Sequence, residues 1–280
     1  QGLPRLGMTF PPVVTTEILA EEFRQVKETL GNRQIADLLG SAVLTKPEKI
    51  ALFDILNMAI PSTWLAMPPG FAWCTLQMVK LSHQSGNTTM SAFGFSIHAL
   101  LLCGQPEEYQ AGLEYGELAI ALNERFPNLS VRGAIHLFFG CFVQHWRRHK
   151  KWNLPVHKIA HQGCSEGGAY VYGVYNVIFF FFQSFCSDLT LTEVQSYYKK
   201  FLPFVEQVND QDVLGVLKSL LQLVAKLQGV TTARDSLDDD QFNEASYFLQ
   251  LTTRDYGNGL CYYYFTKMFL AFFTEQFEEA

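Results

Sequence analysis

Charged side chains are scarce in this sequence, at 17% of 280 residues, while hydrophobic ones make up 48%. A chain that apolar can bury a sizeable core and is not disordered. A basic excess is missing too. The net charge of −6 argues against a general nucleic-acid or anionic-membrane binder, so no nucleic-acid partner is expected. No CxxC pair occurs. Cys74, Cys103, Cys141, Cys164, Cys186 and Cys261 are scattered, each in an apolar run, and read as buried, reduced thiols of a cytoplasmic protein. The sequence has no GxxxxGK[ST], no GxGxxG after a strand, no HRD or DFG and no GxSxG. It therefore offers no recognisable cradle for ATP, no catalytic residue and no cofactor site. No stretch alternates at period two for long, and no NG or DG turn separates strand-like runs, which argues against sheet. Gln1–Pro12 lacks the apolar core of a signal peptide. With no initiator Met and a last segment that stops inside a structural unit, the chain is expected to be a piece of a longer protein.

What is present is helical periodicity. Thr15 or Thr16 caps a helix whose Ile18, Leu19, Phe23, Val26 and Leu30 recur at helical spacing up to Gly31-Asn32. A short helix over Gln34–Leu39 follows. Thr45 is expected to cap a helix with Pro47 just inside it. Pro61 and Pro68-Pro69-Gly70 should bound another short piece. Further helices are predicted over Phe71–Gln84, Asn87–Leu102, Glu107–Phe126, Ser130–Arg148, Val156–Glu166, Leu191–Val208 (kinked at Pro203), Gln211–Gln228, Asp240–Gln250 and Gly257–Phe273.

The chain repeats from Asn87 onward. Small residues Gly94, Ala134, Gly173, Gly215 and Gly259 recur at intervals of about 40 residues, each early in the first helix of a predicted pair. A small side chain there lets the partner helix cross closely. Two helices per unit of this length predict an all-α fold, an α-solenoid of tetratricopeptide-like helix pairs. The expected partition is a helical lead-in over 1–86 and repeats over 87–280, truncated within the last.

Gly168–Asp188 is the hardest stretch to place. Gly167 to Ser187 carries no charge, and Phe179–Phe182 are consecutive phenylalanines, so the segment must be buried in protein or in lipid. Tyr170, Tyr172, Tyr175, Asn176, Gln183 and Ser184, together with its phase in the repeat, favour a solenoid helix and no membrane contact.

His145 and His149, then His157 and His161, form two i,i+4 pairs, the spacing with which a helix face offers two metal ligands. No HExxH accompanies them, and Pro155 lies between, so a polar turn between helices is the plainer reading and no metal is expected. The same turn holds Trp146, Arg147, Arg148 and Trp152, a mixture that suits phosphate binding and stacking but also a solvated helix end. Asp238-Asp239-Asp240 lacks the ligand alternation of a calcium loop and reads as a helix start. His98, His136 and Asn176 lie inside apolar helices, as hydrogen-bonded core or groove residues.

Met78-Val79-Lys80-Leu81-Ser82, Gly86-Asn87, Ser91-Ala92-Phe93-Gly94-Phe95 and Leu101-Leu102-Cys103-Gly104 resemble the helical middle region of large bacterial, cyanobacterial-type signalling proteins. The resemblance continues through Tyr109, Gly112, Tyr115-Gly116 and Leu118-Ala119. It returns at His145-Trp146, from Gly163 to Gly173, and at Tyr264, Lys267, Leu270, Phe273, Phe277 and Ala280. Gly168 departs from it, since the family usually has an acidic residue there. Such proteins join a serine/threonine protein kinase, an AAA-type ATPase module, this region, a GAF sensor domain and a two-component sensor histidine kinase. The resemblance implies a cytoplasmic signal-transduction role, with ATP bound only by domains outside this chain.

The expected function is a non-catalytic regulatory and interaction module. A concave surface would serve protein-protein interaction with a partner or a neighbouring domain of the same polypeptide, with Trp146, Arg147, Arg148, Tyr170, Asn176 and Tyr262 as surface candidates. Three rivals stand beside it, one of them an enzyme that would use the histidine turn, its imidazoles converging on a metal or on a base–nucleophile pair. A second is a small-molecule sensor with an aromatic pocket built from residues such as Tyr170, Tyr172, Tyr175 and Tyr262–Tyr264. The third is a structural spacer between ATPase and sensor kinase domains.

Overall fold

The computed structural model describes residues 2–185, 187–231 and 236–278. Cys186 and Ala280, named above, lie outside the described residues. Among the described residues the fold is all-helical. Its one β contact is a single parallel bridge between Val43 and Asn87. The chain gathers into two compact units, Gln1–Tyr172 and Gly173–Ala280.

In the first unit, α1 (Gly2–Arg5) leads to α2 (Thr16–Leu30), which Thr15 caps by accepting from the Ile18 amide. A 3₁₀ turn, Ile35–Gly40, precedes α3 (Pro47–Ala66). Two expectations fail in α3. Lys46, with no side-chain cap, stands at the N-cap position instead of Thr45, because Pro47 opens the first turn and needs no amide partner. Pro61 does not end the helix. It sits exposed inside α3, where losing one backbone hydrogen bond is tolerated by a helix anchored through Leu52, Phe53, Leu56 and Ile60. The helix ends at Met67, and α4 (Pro68–Ser85) starts on the Pro-Pro step.

Helix α5 (Ser91–Cys103) begins later than expected, because Asn87 is used elsewhere. It is buried, its amide donates to Ala42 O and its Nδ2 to Leu38 O, both at 2.8 Å. Then come α6 (Tyr109–Arg125) and α7 (Leu129–Phe138). The helix expected to run to Arg148 stops being α-helical at Phe138. A π turn, Phe139–Val143, and a 3₁₀ turn, Gln144–Trp146, complete it. The π turn seats the Phe139 ring where a side chain on Gly116 would otherwise lie. After a 3₁₀ turn, Lys150–Trp152, helix α8 (Asn153–Gly167) takes Pro155 into its first turn. Gly168, at φ +70°, ends α8 in the left-handed conformation, and the Ala169 amide returns to Cys164 O at 2.9 Å. A side chain at this position would be strained, which glycine avoids.

Successive helices pair: α3 with α4, α5 with α6, α7 with α8. Helix α5 also meets α7, so first helices of adjacent pairs touch. One continuous apolar core runs from Val14 to Val143. The closest backbone approach is between α7 and α8. A Cβ on Gly133 would stand 2.4 Å from Cys164 N, and one on Gly167 would stand 1.9 Å from Leu129 O. Ala134, the expected marker, is fully buried one residue later.

Helix α9 (Tyr170–Phe185) is the uncharged stretch. It buries Gly173, Val174, Asn176, Phe180 and Phe181, but Val171 is 64% exposed and Phe179 and Phe182 are only half-buried, so it is not apolar-buried on every side. Among the described residues no helix is long and apolar enough to cross a membrane.

In the second unit, α10 (Leu191–Val208) starts on a Thr190–Glu193 capping box and keeps Pro203 on an exposed side. The helices α11 (Gln211–Leu227), α12 (Glu244–Thr253) and α13 (Gly257–Phe273) follow. Helix α11 packs on both α10 and α13, and α12 on α13. The aspartate run is not the start of α12. Asp239 Oδ1 accepts from the Gln241 and Phe242 amides, each at 2.7 Å, and holds a loop, while Asn243 caps the helix.

Candidate functional site

The histidine turn does not assemble a metal centre. His149 is exposed and its Nδ1 accepts from the Lys151 amide at 3.2 Å. His157 is fully buried on α8, His161 is half-buried one turn on, and His145 is half-buried in the 3₁₀ turn, where burial lowers its pKa. Among the described residues no three His, Cys, Asp or Glu side chains converge as ligands.

The basic turn is stitched to α6. Trp146 stacks on Tyr109 with ring centroids 4.7 Å apart, and its indole donates to Phe142 O. Arg147 donates to Gln110 Oε1 at 3.1 Å, and Arg148 pairs with Glu117. These contacts anchor the turn to α6 through one nitrogen of each guanidinium, and both arginines are exposed. Of the other surface candidates, Tyr170 is exposed and Tyr262 is half-buried, its ring stacked on Phe182 at 5.5 Å. Asn176 is fully buried and belongs to the interior, because it lies on the inner face of α9 beside Val177 and Phe180. The other packing markers approach side chains and not backbone. A Cβ on Gly94 would stand 3.3 Å from the Met78 methyl of α4, one on Gly215 2.7 Å from the Tyr247 ring, and one on Gly259 2.3 Å from the Tyr256 ring. Cys74, Cys103, Cys141 and Cys164 are buried free thiols as expected, but Cys261 is exposed. Burial pushes the Cys74 and Cys103 thiols up to about 11, so they are inert at neutral pH.

A different group of residues does converge, from α2, α4, α5 and α6. Thr29 Oγ1 donates to Val26 O at 2.9 Å and stands 3.0 Å from His83 Nδ1. His83 Nε2 stands 3.2 Å from the Tyr115 hydroxyl, so the ring joins Thr29 of α2 to Tyr115 of α6. Burial, then the nearby Arg33 charge, lowers the His83 pKa to about 4, which keeps the ring neutral.

His98 of α5 packs edge-on against the Tyr115 ring, with centroids 4.7 Å apart. It is 1% exposed, and its Nδ1 has no hydrogen-bond partner among the described residues. Burial lowers its pKa to about 3, helped by His83 and Lys27. His98 and Tyr115 line a cavity of about 160 Å³. Phe23, Leu30, Ile35, Leu102 and Ala111 supply its apolar wall, and Lys27 and Glu108, ion-paired, stand at its polar edge. A larger, open groove of about 490 Å³ lies between α2 and α4. Its charges are already paired, Arg24 with Glu21 and Glu28, and Lys80 with Glu22.

His98 was expected to be a hydrogen-bonded core or groove residue; it is buried, but its Nδ1 finds no hydrogen-bond partner among the described residues. Its union with Tyr115 and His83 was not legible in the sequence, since these come from separate helices. No family model, no curated protein and no solved structure matches the chain.

Proposed function

We propose that the chain is a non-catalytic helical-repeat module that regulates a multidomain bacterial signalling protein of the kinase and ATPase type. In this reading the helix pairs are tetratricopeptide-like units of an α-solenoid. The module acts in the cytoplasm and holds no cofactor of its own, ATP being the business of other domains. The observation that carries it is the packing order in the first unit: α3 pairs with α4, α5 with α6 and α7 with α8, and α5 meets α7. Stacked helix pairs of this kind present an extended face, and such faces bind protein partners or adjacent domains. A partner that favours one arrangement of the stack biases whatever is attached to it.

The test removes residues 87–273 in frame from the parent polypeptide. Nucleotide turnover and kinase output are then compared with the intact protein. A changed response to the input signal is expected. Unchanged turnover and output in a folded deletion protein would refute a regulatory role and leave only a spacer.

A further inference from the structure

We propose that the exposed basic turn at residues 146–152, together with the first turns of α8, docks a short acidic protein segment that carries apolar side chains among its carboxylates. The proposal rests on the reading of the chain as an interaction module and names the chemistry of the partner that this turn takes.

Charge sets the partner's sign. Arg147, Arg148, Lys150 and Lys151 occupy four of five consecutive positions in a chain of net charge −6, and all four are exposed. Among the described residues only Arg148 of these has a carboxylate partner, Glu117. Arg147 meets the neutral Gln110 amide, and the Lys151 ammonium lies over the Trp152 ring, 5.5 Å from its centroid. Local stability does not account for the lysines. They stand in the 3₁₀ turn that leads straight into α8, whose first turn holds no acidic residue and whose N-cap, Trp152, makes no side-chain cap. The positive end of a helix favours carboxylates and disfavours cations. The lysines and the helix end thus add to one positive field, and a carboxylate-bearing partner answers both.

The apolar groups decide what kind of acid fits. Trp152, Pro155 and Ile159 are exposed, and their spacing puts them on one side of α8. Trp146 is exposed at the other end of the turn. Aliphatic and prolyl surface suits the side chains of a protein and gives a nucleic-acid base nothing to stack on. Of the two indoles, Trp146 already has Tyr109 against one face, with centroids 4.7 Å apart, and Trp152 has the Lys151 ammonium. A nucleic acid or a charged bilayer would also extend past the turn over an acidic chain, whereas a short acidic segment covers the turn alone.

Fluorescence anisotropy of a labelled synthetic peptide of glutamate and leucine, titrated with the whole chain, tests this. Saturable binding that weakens as salt rises is expected, with the glutamine-for-glutamate peptide about tenfold weaker or more. Lys150→Glu with Lys151→Glu should weaken the peptide about tenfold or more and keep or raise the melting temperature, since carboxylates suit the start of α8. Trp152→Ala should weaken it by a smaller factor. Lys199→Glu with Lys200→Glu, the same charge change at exposed positions of α10, should leave the affinity as it was. No saturable binding, unaltered affinity in either turn variant, or an equal loss in the α10 variant would each overturn the proposal. Tighter binding of a single-stranded oligonucleotide of equal charge, or of phosphatidylserine vesicles, would overturn it too. Failure of the peptide to bind, with an altered output in the deletion protein above, would remove this docking surface and leave the interaction module standing. Peptide binding that the lysine variant loses, with output unchanged by the deletion, would keep the docking surface and refute the regulatory role.

Discussion

His98 and His83 are neutral in the fold because burial makes their charged forms costly. The sign of the resulting pH dependence follows. An unfolded histidine titrates near 6.5, so between that value and about 4 the unfolded chain binds protons that the folded chain refuses. Stability is therefore complete above about pH 6.5 and falls as the pH drops toward 4, by up to about 1.4 kcal/mol per pH unit for each histidine. Urea unfolding from pH 7.5 to 4.5 should show this slope, and His98→Phe should reduce it. A pH-independent midpoint would contradict the buried, neutral assignment. Glu244 is the opposite case. Its burial alone would raise its pKa, but the Leu237 amide, Lys267 and the Tyr263 hydroxyl outweigh that and hold it below the usual carboxylate range. This contribution is present above about pH 4.3 and is lost as the pH falls further. Glu244→Gln should cost about 2 kcal/mol at pH 7, measured by chemical unfolding, and much less at pH 3. Neither site was readable from sequence. His83, His98 and Tyr115 lie on separate helices, and Glu244 looked like one more carboxylate after an aspartate run. Only the fold tells which polar residue is buried and by what it is met.

Helices themselves were largely legible, because their signals are local. The Thr15 cap and the helices over Leu191–Val208 and Gly257–Phe273 fell where capping chemistry and periodicity put them. The failures share one cause, tertiary contact overriding a local signal. Pro61 reads as a break, yet α3 continues past it, because the turns before it are anchored by Leu52, Phe53, Leu56 and Ile60 and Pro61 itself is exposed. Ser130–Arg148 reads as one helix, yet Phe139 against Gly116 draws its second half into a π turn. The repeat markers pointed to close crossings at Gly94 and Ala134, but the tight crossing is carried by Gly133 and Gly167. Gly163 and Gly167, four residues apart on α8, were the available signal. Gly133→Ala should destabilise by about 1–3 kcal/mol through overpacking against the Cys164 backbone, whereas Gly94→Ala, with ordinary contacts to a flexible Met78, should cost less. Thermal unfolding of the two variants side by side gives the comparison, and equal effects would place the close crossing elsewhere.

At the scale of the whole molecule, a chain this apolar is organised as successive helix pairs within two compact units. If the module regulates a signalling protein as proposed, the crossing of α7 and α8 is the place to interrupt that action without removing the module. The most direct measurement of the proposal is the kinase and nucleotide-turnover output of the proposed parent polypeptide carrying Gly133→Leu, set beside its free catalytic domains under the same conditions. An altered response to the input signal in the parent, with its catalytic domains still folded and active, is the expected result. An unaltered response, in a protein whose melting curve shows the helix pair to be loosened, would contradict a regulatory role for these helices.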